Sequence, residues 1–416
     1  MLKSTRIRLL FADTIYANSL FLIFSTAAMA GFGFLFWIIN AKLFSIDDIG
    51  VASTLIPIAN IIAIASLCGI DTSIVRFLGK QKNITTYINS SFMFISCVAI
   101  TAATVFSLTV SIHSPNLSLF FNNSFGYIVF IVLTVSTALN LFFDAIYLAH
   151  RKTFYTFIVT VIFSILKTIF PFLFISFGPV GIIAAGAFSQ FCGIIIHLFI
   201  THRQWEYFGN LKFSLFDLHQ GWSYTATNYI ANLLNLLPAC IVPLIVFNKV
   251  GAAQAAYYYI VTMIVNLLYV VSNATTKSLF TEGSHSLEQL SLTIKKAVVL
   301  ISVITIPGIL ILSLLSNFIL NFFGAQYSAF GTYTLLIFGI SAIPIGAYAL
   351  NTALFRIHKQ TSELIFCNIM YAALLISTTY VFSKNGLPGI ANAWLLSNTI
   401  IAGITTIIVF FKKGYR

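Results

Sequence analysis

Between Asn40 and Lys82 the chain passes an acidic turn, Asp47-Asp48-Ile49-Gly50, and crosses roughly 20 apolar residues. It leaves through Gly69-Ile70-Asp71-Thr72 to Arg76, Lys80 and Lys82. A run of that length and polarity is one bilayer crossing, and acid at one end with base at the other fixes which way it points. The unit recurs. Twelve spans are expected, at 17–39, 46–70, 87–112, 125–149, 154–177, 180–200, 222–248, 253–275, 294–318, 332–355, 362–382 and 388–411, each long enough for a tilted helix. The 416 residues are 59% hydrophobic and 8% charged, whereas soluble domains carry about 25% charge. The expected fold class is therefore an all-α membrane protein of about 12 transmembrane helices.

The net charge of +12 could point to nucleic acid, but the bases lie in short clusters between spans rather than in one patch. Of the 22 Lys and Arg, 18 fall in alternate loops and the termini, 3 (Lys42, Lys249 and Lys384) in the opposite loops, and Lys167 lies inside a span. That asymmetry places both termini in the cytoplasm and supports the span count. Residues 3–14 read as a short interfacial helix. Ala28-Met29-Ala30 mimics a signal-peptidase site, but the apolar run continues through Phe32, Phe34 and Trp37, so a full crossing is expected. The five cysteines lack metal or redox spacing and read as small buried apolar residues.

The chain repeats itself at an offset near 207 residues. Gly178-Pro179-Val180-Gly181-Ile182 recurs as Gly386-Leu387-Pro388-Gly389-Ile390, Ala149-His150-Arg151-Lys152 as Arg356-Ile357-His358-Lys359, and Asp47 falls opposite Gln254. Six spans per repeat make two parallel halves around a central cavity. The expected domains are 1–205, an interfacial linker at 206–221 anchored by Trp205 and Trp222, and 222–416.

No phosphate-binding Gly-x-x-x-x-Gly-Lys-Ser/Thr loop, metal-ligand spacing or nucleophile–base–acid set occurs, so neither an enzyme nor a cofactor or metal is expected. Transport is what remains, and its signs are polar groups inside spans. Lys167, in the fifth span, is the sharpest. It is either a cationic contact for an anionic substrate or the partner of a structural carboxylate such as Asp144. Asp144, in the fourth span, is an ion- or proton-coupling group or half of an interfacial salt bridge. In the seventh span Tyr224, Asn228, Asn232 and Asn235 share one helix face, which serves either sugar hydroxyls or interhelical hydrogen bonds. Asn266, Tyr269 and Asn273 repeat the pattern in the eighth. Asn60 and Gln190 read as single amides joining helices, and Tyr257-Tyr258-Tyr259 as an outer aromatic belt.

Asp47, Asp48, Gly50, Asn60, Gly69, Asp71, Thr72, Ile74, Arg76 and Phe77 together resemble the second helix of bacterial polysaccharide flippases. These are the O-antigen and oligosaccharide repeat-unit transporters of the multidrug/oligosaccharidyl-lipid/polysaccharide superfamily. The match covers about a tenth of the chain, and the hydropathy plan of the rest agrees. The resemblance implies an inner-membrane flippase that carries undecaprenyl-pyrophosphate-linked repeat units between leaflets, with glycosyltransferases and a polymerase as partners beside the membrane lipids. It makes Arg76 either a phosphate contact at the inner gate or a snorkelling anchor of the helix, and turns the face of Tyr224 to Asn235 toward the central cavity. The competing reading is a cation-coupled multidrug exporter, which calls for an acidic, aromatic cavity. The carboxylates near the membrane here are few and sit toward span ends.

Overall fold

The computed structural model describes residues 14–80, 83–205, 236–285 and 289–411, with the single positions 207, 209, 214 and 229. They are nearly all helical, and no strand occurs among them. The expected interfacial helix at 3–14, most of the linker at 206–221, Trp222, and Tyr224, Asn228, Asn232 and Asn235 lie outside the described residues. The chain forms two compact units, Met1–Leu233 and Leu234–Arg416.

The first unit holds α1 (Thr14–Leu43), α2 (Ile46–Ser66), the short α3 (Ile70–Phe77), α4 (Ile84–His113), α5 (Ser124–Ala149), α6 (Phe154–Ile169) and α7 (Pro179–Trp205). The second holds α8 (Leu236–Val250), α9 (Ala252–His285), α10 (Leu290–Asn321), α11 (Ala325–Ile340), α12 (Ala342–Ile357), α13 (Thr361–Phe382) and α14 (Gly386–Phe411). Among the described residues ten stretches are long and apolar enough to cross a membrane, and the last, Thr361–Phe411, is the folded-back pair α13 and α14. Outward-facing apolar side chains such as Leu314, 84% exposed, are ordinary where the surrounding solvent is lipid.

The acidic turn proves to be a helix cap. Ser45 accepts from the Asp48 backbone N–H at 3.2 Å, and the Asp48 carboxylate accepts from the Ser45 N–H at 3.2 Å, a reciprocal capping box at the start of α2. Ser45→Ala is expected to lower stability by about 1 kcal/mol with little effect on transport, measured by thermal unfolding in detergent. At its other end α2 stops at Ser66, earlier than expected, because Cys68 (φ 48°) and Gly69 (φ 79°) turn left-handed. Arg76 is thereby placed on the separate helix α3, where it is exposed and stacks on Phe77 at 5.5 Å.

The internal repeat is a repeat of backbone geometry at a spacing of 208 residues. α5 ends with Arg151 at φ 56°, and Lys152 N–H bonds to Tyr147 O at 2.9 Å; α12 ends with Lys359 at φ 56°, and Gln360 N–H bonds to Phe355 O at 2.8 Å. Both are left-handed helix terminations of the Schellman kind. Gly178 (φ 54°) and Gly386 (φ 67°) likewise open α7 and α14. Three residues on, Gly181 and Gly389 sit so close to the carbonyls of Phe174 and Phe382 that a Cβ would overlap the oxygen.

Two expectations are overturned. Tyr257 and Tyr258 are buried, not an outer belt: Tyr257 packs on Tyr327 and Phe330, and Tyr258 on Phe338. The apolar body of three consecutive tyrosines suits a helix interior as well as an interface. Of the free cysteines only Cys367 is buried, and Cys97 is exposed. A thiol on a lipid-facing helix needs no protein cover.

Candidate functional site

In the first unit, Asn18 receives the Thr153 N–H at 3.0 Å, which ties the starts of α1 and α6 together beside the His150-Arg151-Lys152 turn. This is the basic end. His150 stacks on Trp205 at 4.5 Å, and Lys152 lies 5.1 Å over the same ring. Burial first, and the charge of Lys152 second, hold the His150 imidazole below its usual range, so Arg151 and Lys152 carry the positive charge of the turn. At the opposite end Gly178 packs against the Asp48 carboxylate.

Between these ends lies a cavity of about 460 Å³. One face of each of five helices lines it at three- and four-residue spacing, as helical periodicity requires. α1 gives Leu22, Ser25, Thr26, Met29, Phe32 and Gly33, and α2 gives Ile56, Asn60 and Ile64. α5 gives Leu133, Thr137, Asn140, Leu141 and Asp144. α6 gives Thr156, Thr160, Phe163, Ser164 and Lys167, and α7 gives Gly186 and Gln190.

Asp144 and Lys167 are the two charged groups in this lining, and they do not pair. α6 ends at Ile169, short of the expected 177, so Lys167 occupies the last turn of the helix, although the apolar span itself continues to Leu173. A cation there also faces the negative end of the helix dipole. Its ammonium lies 4.4 Å over the Phe36 ring, and no carboxylate faces it among the described residues. Asp144 sits five residues before the basic end of α5, and its carboxyl faces Thr156 on α6. At about 1.5 Å of rise per residue, the two charges are separated by roughly 12–16 Å along the helices. Among the described residues neither a Lys167–Asp144 bridge nor another salt bridge to Asp144 is formed, and the two charges lie at different depths of one cavity.

The amides do what buried amides do in lipid. Asn140 Nδ2 donates to Gln190 Oε1 at 2.7 Å and lies 3.0 Å from Gln190 O, joining α5 to α7. Asn140 Oδ1 is buried with no hydrogen-bond partner among the described residues and is turned toward Gly193, while the Thr156 hydroxyl faces the Asp144 carboxyl. Gly193 leaves room for this amide, since a Cβ there would stand 2.8 Å from Asn140 Oδ1. Gly193→Ala is expected to displace Asn140 and weaken the α5–α7 contact by about 1–2 kcal/mol, seen as a lower unfolding temperature. Behind Asp144, Tyr147 and His197 form a fully buried pair, Tyr147 OH to His197 Nδ1 at 3.0 Å, with His197 stacked on Phe143.

The remaining sequence candidates are not gathered here. Arg76 is exposed on α3, and Asn266 and Asn273 are exposed on α9 in the second unit. Tyr269 is buried, donating to Phe338 O at 2.7 Å and accepting from Trp394 at 3.2 Å. The hydroxyls Thr156, Thr160 and Ser164, which share a column with Lys167, were missed, although the column's spacing of four, four and three matches that of the face chosen in the seventh span. Hydroxyls in spans commonly bond their own helix, as Ser25 does to Phe21 O at 2.7 Å, and so carry a weak signal.

No family model matches the chain, and no curated protein matches it. Solved structures do. The inward closed conformation of the lipid II flippase MurJ superposes with a TM-score of 0.73 at 13% identity, covering 94% of this chain and 87% of that one. The inward-facing conformation of a multidrug resistance MATE family transporter of the MOP superfamily gives 0.70 at 15% identity, covering 91% and 93%. The fold is the one these transporters share. At such identities the likeness speaks for the fold alone, an all-helical multi-span membrane architecture.

Proposed function

We propose that the chain is a flippase that moves undecaprenyl-pyrophosphate-linked oligosaccharide repeat units, of O-antigen or a related surface polysaccharide, from the cytoplasmic to the periplasmic leaflet of a bacterial inner membrane. The two six-helix halves, 1–205 and 222–416 about the linker 206–221, alternate in access, and both termini face the cytoplasm. The observation that carries this reading is the Lys167 ammonium, set in a largely apolar cavity with, among the described residues, no carboxylate against it. A charge inside a span costs about 2.5–3.5 kcal/mol on insertion scales, and an anionic substrate recovers that cost.

The cavity volume of about 460 Å³ lies in the range of small-molecule sites and admits a pyrophosphate. The amides of Asn228, Asn232, Asn235 and Asn266, with Tyr224, contact the saccharide, and Arg76 meets phosphate at the inner gate, while the lipid tail stays in the bilayer. Asp144 is the coupling carboxylate. Glycosyltransferases that build the unit and a polymerase that extends it act before and after this step.

Asp144 in the same cavity favours a second reading, a cation-coupled multidrug exporter, because a buried carboxylate is also a cation site. Deleting this gene alone in the source bacterium separates the two. Loss of surface polymer with lipid-linked units accumulating on the cytoplasmic leaflet, restored by the gene, is the expected result. Unchanged polymer in a strain with no redundant transporter, together with lost drug efflux, would establish the exporter instead.

A further inference from the structure

We infer that a phosphate or pyrophosphate group binding at Lys167 draws a proton onto Asp144, so that anion and proton occupy the first-unit cavity together. The inference rests on the reading of Lys167 as the phosphate contact.

The cavity holds one ammonium and one carboxylate that do not touch. Each is the other's counter-charge across roughly 12–16 Å of poorly screened space. An anion at Lys167 cancels the positive field that Asp144 feels, and the carboxylate then gains affinity for a proton. Linkage makes the effect reciprocal: a proton on Asp144 leaves Lys167 uncompensated and tightens its hold on the anion. At an effective dielectric of about 20, unit charges at that separation change one another's affinity about five- to tenfold. Anion affinity should therefore rise as pH falls.

The surroundings point to Asp144 as the site of uptake. Thr156 of α6 faces the carboxyl, and Tyr147 lies one turn on along α5, with Tyr155 of α6 and His197 of α7 in contact with Tyr147. α1 and α2 line the cavity with Ser25, Thr26 and Asn60, which do not titrate. α4, packed on α5, carries Tyr87, buried and bonded to Ser73, and α3 carries Asp71 and Arg76. Of these, only Asp144 and Lys167 line the cavity. The sign also distinguishes the two transport readings. A cationic drug at Asp144 displaces a proton, whereas an anion at Lys167 brings one in.

The test is calorimetric titration of the purified full-length protein in two buffers of different ionisation enthalpy, which counts protons per bound anion. The probes are sulfate and dimethyl pyrophosphate for the free anion, and an undecaprenyl-pyrophosphate-linked sugar in nanodiscs for the lipid headgroup. None of them changes protonation between about pH 5 and pH 8, so linked protons come from the protein. The expected result is uptake of a fraction of a proton per anion and an affinity five- to tenfold tighter on the acid side. Asp144→Asn keeps the binding and loses both effects, and Lys167→Gln loses the binding. Binding of the lipid probe alone places the site on a headgroup that free anions cannot reach, and binding of all three places it on the phosphate itself; either supports the linkage when uptake accompanies it. Proton release, binding with no linkage at any pH, linkage that survives Asp144→Asn, or no binding by any probe would overturn the inference. Flipping of the lipid-linked unit without proton linkage would leave the transport reading standing.

Discussion

Lys167→Gln is expected to cut transport of a pyrophosphate-linked saccharide roughly 10- to 100-fold while leaving the protein as stable as before, or more so. A hydrogen bond to a charged group is worth about 1.5–3 kcal/mol, and each 1.4 kcal/mol is tenfold. The folded state meanwhile sheds a cation held in a membrane span against Phe36 with, among the described residues, no carboxylate facing it. Removing it relieves a desolvation cost of about 2.5–3.5 kcal/mol and forfeits a cation–π contact of about 0.5–2 kcal/mol. Opposite movements of activity and unfolding temperature are the signature of a group kept for function. A lysine that served the fold would lose both together. Lys167→Arg, which keeps the charge and changes its shape, should retain part of the activity.

Gly181→Ala and Gly389→Ala are expected to be among the most destabilising single substitutions in the chain, at about 3 kcal/mol or more each. In each unit the added methyl would meet a backbone carbonyl, that of Phe174 or Phe382. A carbonyl fixed in a tight turn cannot swing aside as a side chain can. Gly403→Ala is the control, because nothing lies within 4 Å of the position where its Cβ would stand. It should be neutral, or stabilising by about 1 kcal/mol through helix propensity. Thermal unfolding in detergent compares the three directly. Equal effects at Gly181 and Gly389 would also show that the two turns serve the same structural purpose.

Those two glycines show what a sequence of this kind states openly. Span lengths and the repeat were legible because membrane crossing and helix termination depend on few residues: an apolar run, a left-handed glycine, a basic turn. The basic turn was aligned one residue out of step, with Arg151 opposite His358, whereas the left-handed positions Arg151 and Lys359, both at φ 56°, match at a spacing of 208. Asp144 and Lys167 stood out for a similar reason, since a charge in a span always needs an explanation.

The cavity itself was far less legible. Thr156, Thr160 and Ser164 carry hydroxyls that lipid-embedded helices tolerate everywhere, so only the packing of five helices shows that they share a wall with Lys167. The end of α6 was placed too late. The expected span ran to 177, but α6 stops at Ile169 and continues as a short 3-10 turn through Pro171, whose ring cannot continue the α-helical hydrogen-bond ladder. Tyr257 and Tyr258 were assigned to the surface by composition and are interior by packing. Which side of a helix faces lipid is decided by its neighbours, and a helix that is apolar on every face does not record it.

The most direct test of the central claim is reconstitution of the purified protein in liposomes with a fluorescent undecaprenyl-pyrophosphate-linked oligosaccharide, with movement between leaflets read by quenching of the outer leaflet. Protein-dependent flipping that falls at least tenfold in Lys167→Gln, with the variant folded and correctly inserted, is the expected result. Equal flipping by the wild type and Lys167→Gln, or no flipping by an active preparation that instead moves a cationic dye, would contradict the account.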